Sequence, residues 1–434
     1  MSEEYLNPPR GMRDIVGKDA EIYEYIMLEF RKIARLHGFE PIITPTIEYL
    51  RLFEVKSGEE IRKSMYVFED KAGRLVALRP EVTASVVRAY LRHMRGEPKP
   101  IRLYYISQCF RYEEPQYARY REFWQGGLEI IGDPDVNADV LVAYTASSFL
   151  DDIGIKHHYV VGNVAIYRAF MKNIGISEET QDHVLHLIDK DMIDKAIEVL
   201  LNTTSSEYVD LFKEITELKL DKLEGFINDM KNIFRDDYEK VVNEYNRLVG
   251  FIYTLKELGY DVRYDPKLVR GLAYYTGLIF EYKVPSNLDV SIGGGGRYDG
   301  LSVVYKGVFE YFTGLALGLD RVVLVLEKDL RELVDTRSKV LVALVGDIPL
   351  SKGYDILGRL RSLDNTSFSV YRHRSLSRIL EYAGKKGFDK VLIIGEREYK
   401  DNKVLLKDMK TGYQLHVDLN EISEYLKRNQ LSVQ

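Results

Sequence analysis

No proline falls between residues 135 and 265 of this 434-residue chain, although twelve are spread over the rest. Proline lacks the backbone donor a helix needs and clashes with the preceding turn, so the gap is where long helices are permitted. Ser177 to Arg247 is also acidic, rich in helix formers and holds a single glycine. A helical block is expected there, and its flanks read differently. On the N-terminal side, residues 18–37 place Ile22, Ile26, Phe30 and Ile33 at helical spacing before Gly38. "FEPIITPTIEYL" follows, where Pro41 and Pro45 demote a β-branched run to an edge or interface strand. "SMYVFED", "LVALRPEV", "IRLYYISQCFRY" and "EFWQGGLEIIG" read as strands joined mostly by short turns. Strands resume after the block in "GLIFEYKV", "LDVSIGGGG" and "YFTGLALGL", and a helix closes this region with "DRVVLVLEKDL".

The expected fold class is therefore α+β: an antiparallel sheet flanked by helices and interrupted by a helical insertion. Beyond "ELVDTRSK", strands and helices alternate in a module of about 100 residues, an α/β domain. The boundaries read as 1–165 and 256–330 for the two parts of the sheet domain, 166–255 for the insertion and 336–434 for the module.

Composition narrows the class of function. Hydrophobic residues make up 45% and charged residues 29%, enough for a folded core and an ordinary surface. The lone cysteine, Cys109, excludes an internal disulfide and any cysteine-rich zinc site, and it suits a reducing cytoplasmic setting. The acidic, proline-broken N-terminus does not resemble a secretory signal, and runs such as Val322–Leu326 and Val340–Val345 are too short to cross a bilayer. The net charge of −6 conceals an asymmetry. Residues 336–434 hold 18 Lys/Arg against 12 Asp/Glu, an excess of +6, which leaves −12 on the rest. A basic module on an acidic body points weakly to nucleic acid.

No G-x-x-x-x-G-K-[ST] occurs, and "GGGGRYDG" does not satisfy G-x-G-x-x-G, so neither glycine-loop route to phosphate is open. Side chains would have to hold any phosphate. "QCFRYEEPQYARYREFWQ" (108–125) interleaves arginines with aromatic rings before the only tryptophan. A hairpin here can aim Arg111 at a phosphate, stack Phe123 on a base and let Glu113 accept from an exocyclic amine, with Arg119 in the loop. Read alone, it is equally a surface ladder of ion pairs. "LVRGLAYYTGLIFE" sets Arg270 beside a glycine and two tyrosines before a strand. The glycines of "SIGGGGRYDGL" allow close approach of a ligand or of backbone. "TGLALGLDRVVLVL" displays Arg321 in the first turn of a helix, where an anion would offset its charge.

In this order, these segments resemble the signature motifs of class II aminoacyl-tRNA synthetases, and "RPEVTA", "RGLAYYTG" and "GGGRYDGL" resemble the histidyl-tRNA synthetase family. The resemblance runs from "PPRGMRDI" to the closing module. It implies a histidine–tRNA ligase: ATP and L-histidine give histidyl-adenylate and pyrophosphate, and histidine passes to the 3′ end of tRNA(His). It also implies Mg²⁺ with the ATP, a homodimer built on the "FEPIITPTIEYL" segment, and a C-terminal anticodon-binding domain. By position, Arg111 matches the arginine bridging the histidine carboxylate and the α-phosphate. Glu113 and Phe123 match the adenine contacts, Arg119 a loop arginine on the terminal phosphates, and Arg321 a second nucleotide arginine. Glu81, Thr83 and Gln125 match the ammonium pocket. Glu129 and Tyr275, with Tyr274 beside them, match the histidine side-chain pocket. Arg270 matches a histidine-specific arginine near the reacting oxygens, so Arg111 and Arg270 are the expected catalytic groups. Metal ligands are not identified.

Two positions depart from the family pattern: Ala273, where many members carry an acid, and Glu114, where bacterial members often place an arginine. The competing readings are a non-catalytic paralogue serving as regulatory subunit of ATP phosphoribosyltransferase, and a synthetase for glycine, threonine or proline. The arginines and the C-terminal module disfavour the first, and "RGLAYYTG" the second. His183 and His186 read as helix surface rather than a metal site, Cys109 as core, and "RHRSLSR" (372–378) as a solvated helix start or a phosphate contact.

Overall fold

The computed structural model describes residues 4–57, 59–114, 119–269, 274–285, 291–326, 338–361, 363 and 366–430. The chain forms two compact units, residues 1–332 and 333–434.

Unit one is organised by an eight-stranded sheet. Its strands are β1 (Glu40–Pro41), β5 (Ile101–Phe110), β6 (Glu122–Ile131), β7 (His158–Asn163), β8 (Val262–Tyr264), β9 (Leu278–Lys283), β10 (Ser291–Arg297) and β11 (Phe312–Gly318). They lie in the order β1-β5-β6-β11-β10-β9-β7-β8, antiparallel except for the outer pairs β1/β5 and β7/β8. A smaller sheet has β4 (Leu75–Leu78) between β2 (Ile47–Tyr49) and β3 (Val67–Glu69). The "FEPIITPTIEYL" segment is thus divided between two sheets, and "VFE" and "LVAL" belong to the smaller one. Arg79 enforces the division. Its buried guanidinium donates to the carbonyls of Thr44 (2.9 Å), Pro45 (3.2 Å) and Gln108 (2.8 Å), satisfying backbone that Pro41 and Pro45 keep out of a longer ladder.

The β5/β6 hairpin pairs Ile101 with Ile131 through to Phe110 with Glu122. Side chains alternate across a strand, so consecutive glycines face opposite ways. Gly126 lies under the Phe30 ring of the Lys18–Leu36 helix, and Phe30 meets Phe149 of the Val136–Asp152 helix edge-on at 5.3 Å. That face is core. Gly127 lies under Tyr105 on the other face, which it shares with Phe123, Gln125 and Glu129.

The proline-free block is helical from Val164–Asn173 to Tyr238–Glu257. Its last helix is tied to the sheet domain: Arg247 donates to Asp139 (3.0 Å) and to the Pro134 carbonyl (2.7 Å). Arg297, which ends the glycine run, is fully buried and reaches the same Asp139 (2.9 Å) and the carbonyls of Asp133 and Asp135. This arginine is a structural pin, and the glycine run is the strand it terminates.

Unit two is a five-stranded sheet of β12 (Ser338–Val345), β13 (Thr366–His373), β14 (Lys390–Ile394), β15 (Lys403–Asp408) and β16 (Gln414–Asp418), in the order β13-β12-β14-β15-β16. The first three are parallel and the last two antiparallel. The helices Leu350–Leu360 and Ile422–Gln430 cover one face, packing on Val342, Leu344 and Ile394. The helix Leu376–Lys385 covers the other through Ile379 and Ala383.

Candidate active site

A small hollow of about 70 Å³ opens on the face of the main sheet opposite the Lys18–Leu36 and Val136–Asp152 helices. Its lining includes Glu81, Thr83, Tyr105, Arg111, Gln125, Tyr274, Tyr275 and Tyr298. The floor is made of Gly294, Gly314 and Ala316, small residues from β10 and β11. Cross-strand register explains why they meet: Glu129, Gly314 and Gly296 are successive neighbours across β6, β11 and β10. A Cβ at position 314 would collide with Glu129 Oε2 and the Tyr298 hydroxyl, and would lie 2.7 Å from the Leu128 carbonyl. Glycine at 314 is what leaves the hollow open.

The polar groups here are mostly acceptors. Thr83 donates its hydroxyl to Glu129 Oε1 at 2.8 Å. Glu129 Oε2 and the Tyr298 hydroxyl are buried and make no hydrogen bond among the described residues. Burial pushes the Glu129 carboxyl well above the carboxylate range, and the nearby Glu81 carboxylate adds to the rise against the Thr83 bond. Glu81 moves the same way by burial, opposed by the backbone N–H groups of Ala84 and Thr83 and by Arg111. Gln125 accepts the Cys109 thiol proton at 3.1 Å, which leaves one amide-oxygen lone pair available. Burial raises that thiol to about 12, so it remains an S–H donor. Two acidic side chains and an oriented amide surround a space that would accept cationic or N–H groups.

One wall is cationic. Arg111, just beyond β5, donates Nε to the Pro80 carbonyl (3.2 Å), and its guanidinium lies 5.1 Å from the Phe123 ring centroid. Its terminal nitrogens make no other hydrogen bond among the described residues, a disposition suited to an oxyanion. Arg321 Nη1 donates to the Ser291 carbonyl at 2.6 Å. Glu113 and Arg119 are exposed, and Arg121 Nε donates to the Glu113 carbonyl at 3.0 Å. Glu114 pairs with Arg10 of the N-terminal segment at 2.8 Å.

Of the residues singled out in the sequence, Glu81, Thr83, Arg111, Gln125, Tyr274 and Tyr275 line the hollow, and Glu129 lies at its floor. Phe123 lies under Arg111. Arg270 and Ala273 lie outside the described residues. Gly294 belongs to the glycine run singled out for close ligand approach, whereas Tyr105, Tyr298, Gly314 and Ala316 were not singled out. Tyr298 had a signal in its place next to the glycine run, but strand pairing is needed to bring it over Glu129. Among the described residues no three His, Cys, Asp or Glu side chains converge to hold a metal ion, so none is assigned to Mg²⁺. No helix there is long and apolar enough to cross a membrane.

Comparison with known proteins decides the family. Residues 11–322 match the family described as Histidyl-tRNA synthetase, and residues 339–429 match Anticodon binding domain. The chain belongs to the histidyl-tRNA synthetase family. It is 38% identical over 435 residues to Histidine--tRNA ligase of Sulfolobus acidocaldarius, covering 99% of this chain and 100% of that protein. The apo histidyl-tRNA synthetase of S. aureus aligns with a TM-score of 0.71 at 28% identity, over 97% of this chain and 99% of that one. A Bacillus halodurans protein titled ATP phosphoribosyltransferase regulatory subunit/histidyl-tRNA synthetase shares the fold, with a TM-score of 0.71 at 20% identity over 90% of this chain and 98% of that one. Full-length similarity to the ligase disfavours the purely regulatory reading.

Proposed function

We propose that this protein is a histidine–tRNA ligase and that the hollow holds histidine with its carboxylate toward Arg111. The observation that carries the reading is the pair of buried oxygens, Glu129 Oε2 and the Tyr298 hydroxyl, which have no partner among the described residues and converge over Gly314 within an acceptor-rich pocket. An imidazole, with two ring nitrogens, is the side chain that can engage both. The ammonium group suits Glu81, Thr83 and Gln125, and Tyr274 and Tyr275 wall the ring. A pocket that hydrogen-bonds its substrate penalises analogues that leave its groups unpaired.

The chemistry needs no general base. Histidine's carboxylate is ionised near neutrality, and one of its oxygens attacks the α-phosphorus of ATP. A P–O bond forms as the bond to the pyrophosphate oxygen breaks, giving the acyl-adenylate. Arg111 bridges carboxylate and α-phosphate, Phe123 stacks on adenine, Glu113 accepts from its amine, and Arg119 and Arg321 hold the remaining phosphates. Arg270, assigned from the resemblance, stabilises charge at the reacting oxygens. Mg²⁺ enters as the counter-ion of the nucleotide substrate. In the second step the terminal 3′-hydroxyl of tRNA(His) attacks the acyl carbon, and AMP leaves.

The basic C-terminal unit takes the anticodon. The working assembly is a cytoplasmic homodimer, a reading supported by the apolar side chains of Ile43, Ile47, Tyr49 and Phe68, exposed on and beside the smaller sheet (Ile43 by 95%). Domain limits of 1–165, 166–255, 256–330 and 336–434 suit this division of labour. Pyrophosphate exchange with each of the twenty amino acids tests the assignment. Exchange with histidine alone is expected, and no exchange with any of them would favour the regulatory reading.

A further inference from the structure

Asp320 sits where β11 turns into the Leu319–Val325 helix, one residue before Arg321, and is only 4% exposed. Antiparallel pairing between β11 and β6 ends at Gly318 opposite Gln125. One residue further, where β11 offers no partner, Asp320 Oδ2 accepts the backbone N–H of Trp124 at 2.6 Å. The carboxylate thus replaces a rung of the ladder between Phe123 and Gln125. Its other oxygen accepts from Arg13 (2.6 Å) and from the Tyr23 hydroxyl (2.8 Å) of the Lys18–Leu36 helix. Burial beside Asp320 pushes that hydroxyl well above its ordinary range, so it stays a donor.

Arg13 carries the linkage on to the loop before β6. Its guanidinium lies 3.8 Å from the Tyr120 ring centroid, and two residues earlier the Gly11 carbonyl accepts from the Arg121 N–H at 2.8 Å. A single carboxylate therefore joins four segments: the N-terminal segment that carries Arg13, the first helix, the strand bearing Phe123 and the helix bearing Arg321. Removing Arg13 takes the counter-charge from a buried carboxylate.

We propose that Asp320 is a positioning residue, with Arg13 as its counter-ion, that sets Arg321 and Phe123 at the spacing needed to grip ATP. The inference rests on the reading of Arg321 and Phe123 as nucleotide-binding groups. It assigns Arg13 of the N-terminal "RGMR" a role in nucleotide affinity.

Pyrophosphate exchange on the full chain tests it through Asp320→Asn, Arg13→Met and the double variant, with Arg321→Ala alongside. Asp320→Asn is expected to raise the KM for ATP roughly tenfold while the KM for histidine stays within about twofold. Arg13→Met should do the same, and the double variant should be no worse than the larger single effect, because both remove one interaction. An unchanged KM for ATP, equal rises for both substrates, or effects that multiply would overturn the proposal. Should Asp320→Asn not fold, Arg13→Met and Arg13→Lys carry the test, the lysine variant retaining charge and part of the ATP affinity. If Arg321→Ala raises the KM for ATP and Asp320→Asn does not, the positioning role alone falls. If Arg321→Ala has no effect, the nucleotide reading falls and this inference with it.

Discussion

Glu129→Gln should move stability and function in opposite directions. One carboxylate oxygen is bonded to Thr83 and the other has no partner among the described residues, at 2% exposure. Burial holds its pKa above the unfolded value, so the folded protein retains a proton that the unfolded chain releases. For a carboxyl raised in this way, the stabilising contribution is fully present below the unfolded pKa, about 4.3, and is lost as pH rises through the folded pKa. Each unit of separation costs about 1.4 kcal/mol once both states are ionised. Glutamine does not titrate, can still accept from Thr83, and offers an amide to the unpartnered Tyr298 hydroxyl. The variant should therefore be the more stable protein at pH 8, and its advantage should shrink toward pH 5.

Histidine binding should suffer in the same variant. A hydrogen bond to a charged group is worth about 1.5–3 kcal/mol, so losing the carboxylate should raise the KM for histidine roughly 10- to 150-fold. The KM for ATP should stay nearly constant. Thermal unfolding from pH 5 to pH 8, with and without histidine, alongside pyrophosphate exchange, measures both halves. The argument would be refuted by a variant less stable than the parent at pH 8, by a stability difference that ignores pH, or by an unchanged histidine KM.

Arg270→Ala should lower kcat for adenylate formation far more than it raises the KM for histidine, a loss of roughly 2–4 kcal/mol; a KM effect with kcat intact would make it a ground-state contact. Truncation after Leu330 should preserve adenylate formation while tRNA charging falls sharply and loses salt sensitivity; full charging would remove the case for anticodon binding by unit two. Glu114→Gln breaks the ion pair with Arg10 and should leave histidine activation unchanged; if Glu114 reads the extra 5′ guanosine that the family resemblance implies for tRNA(His), the variant loses discrimination for it, and equal discrimination in parent and variant would place that recognition elsewhere.

Local chemistry made much of this molecule legible in advance. The proline gap marked the helical block because proline's cost is a property of single residues. The alternation of Phe123, Gln125 and Glu129 announced one face of a strand because its period is fixed by the pleat. What stayed hidden depended on neighbours distant in sequence. Arg79 and Arg297 look like ligand-binding arginines in "LRPEV" and "GGGGRYDG", yet Arg79 is taken up by backbone carbonyls and Arg297 by backbone carbonyls and the buried Asp139. β16 is hard to read from the sequence because "QLHVD" is short and polar, and it pairs with β15 through a turn at Gly412, whose φ of +75° suits glycine.

The glycines illustrate why such a site is hard to read from one strand at a time. Gly314 has no role within β11, where a larger residue would be the better strand former. Its value lies across the sheet, where Glu129 from β6 and Tyr298 from beyond β10 need the volume it leaves. Filling that volume would let the acid be covered by methyl groups, which is unfavourable for a carboxylate; leaving it open leaves two buried polar groups without a partner among the described residues. Both arrangements cost stability, and only the open one can be relieved by a ligand. An acidic pocket beside Arg111 is relieved best by a molecule with cationic or N–H groups at one end and an anion at the other. Gly314→Ala should therefore abolish histidine-dependent exchange more completely than any single polar substitution at the rim, while the sheet's backbone pairing persists by circular dichroism. Retention of histidine affinity in that variant would mean that the ring lies somewhere other than over Gly314.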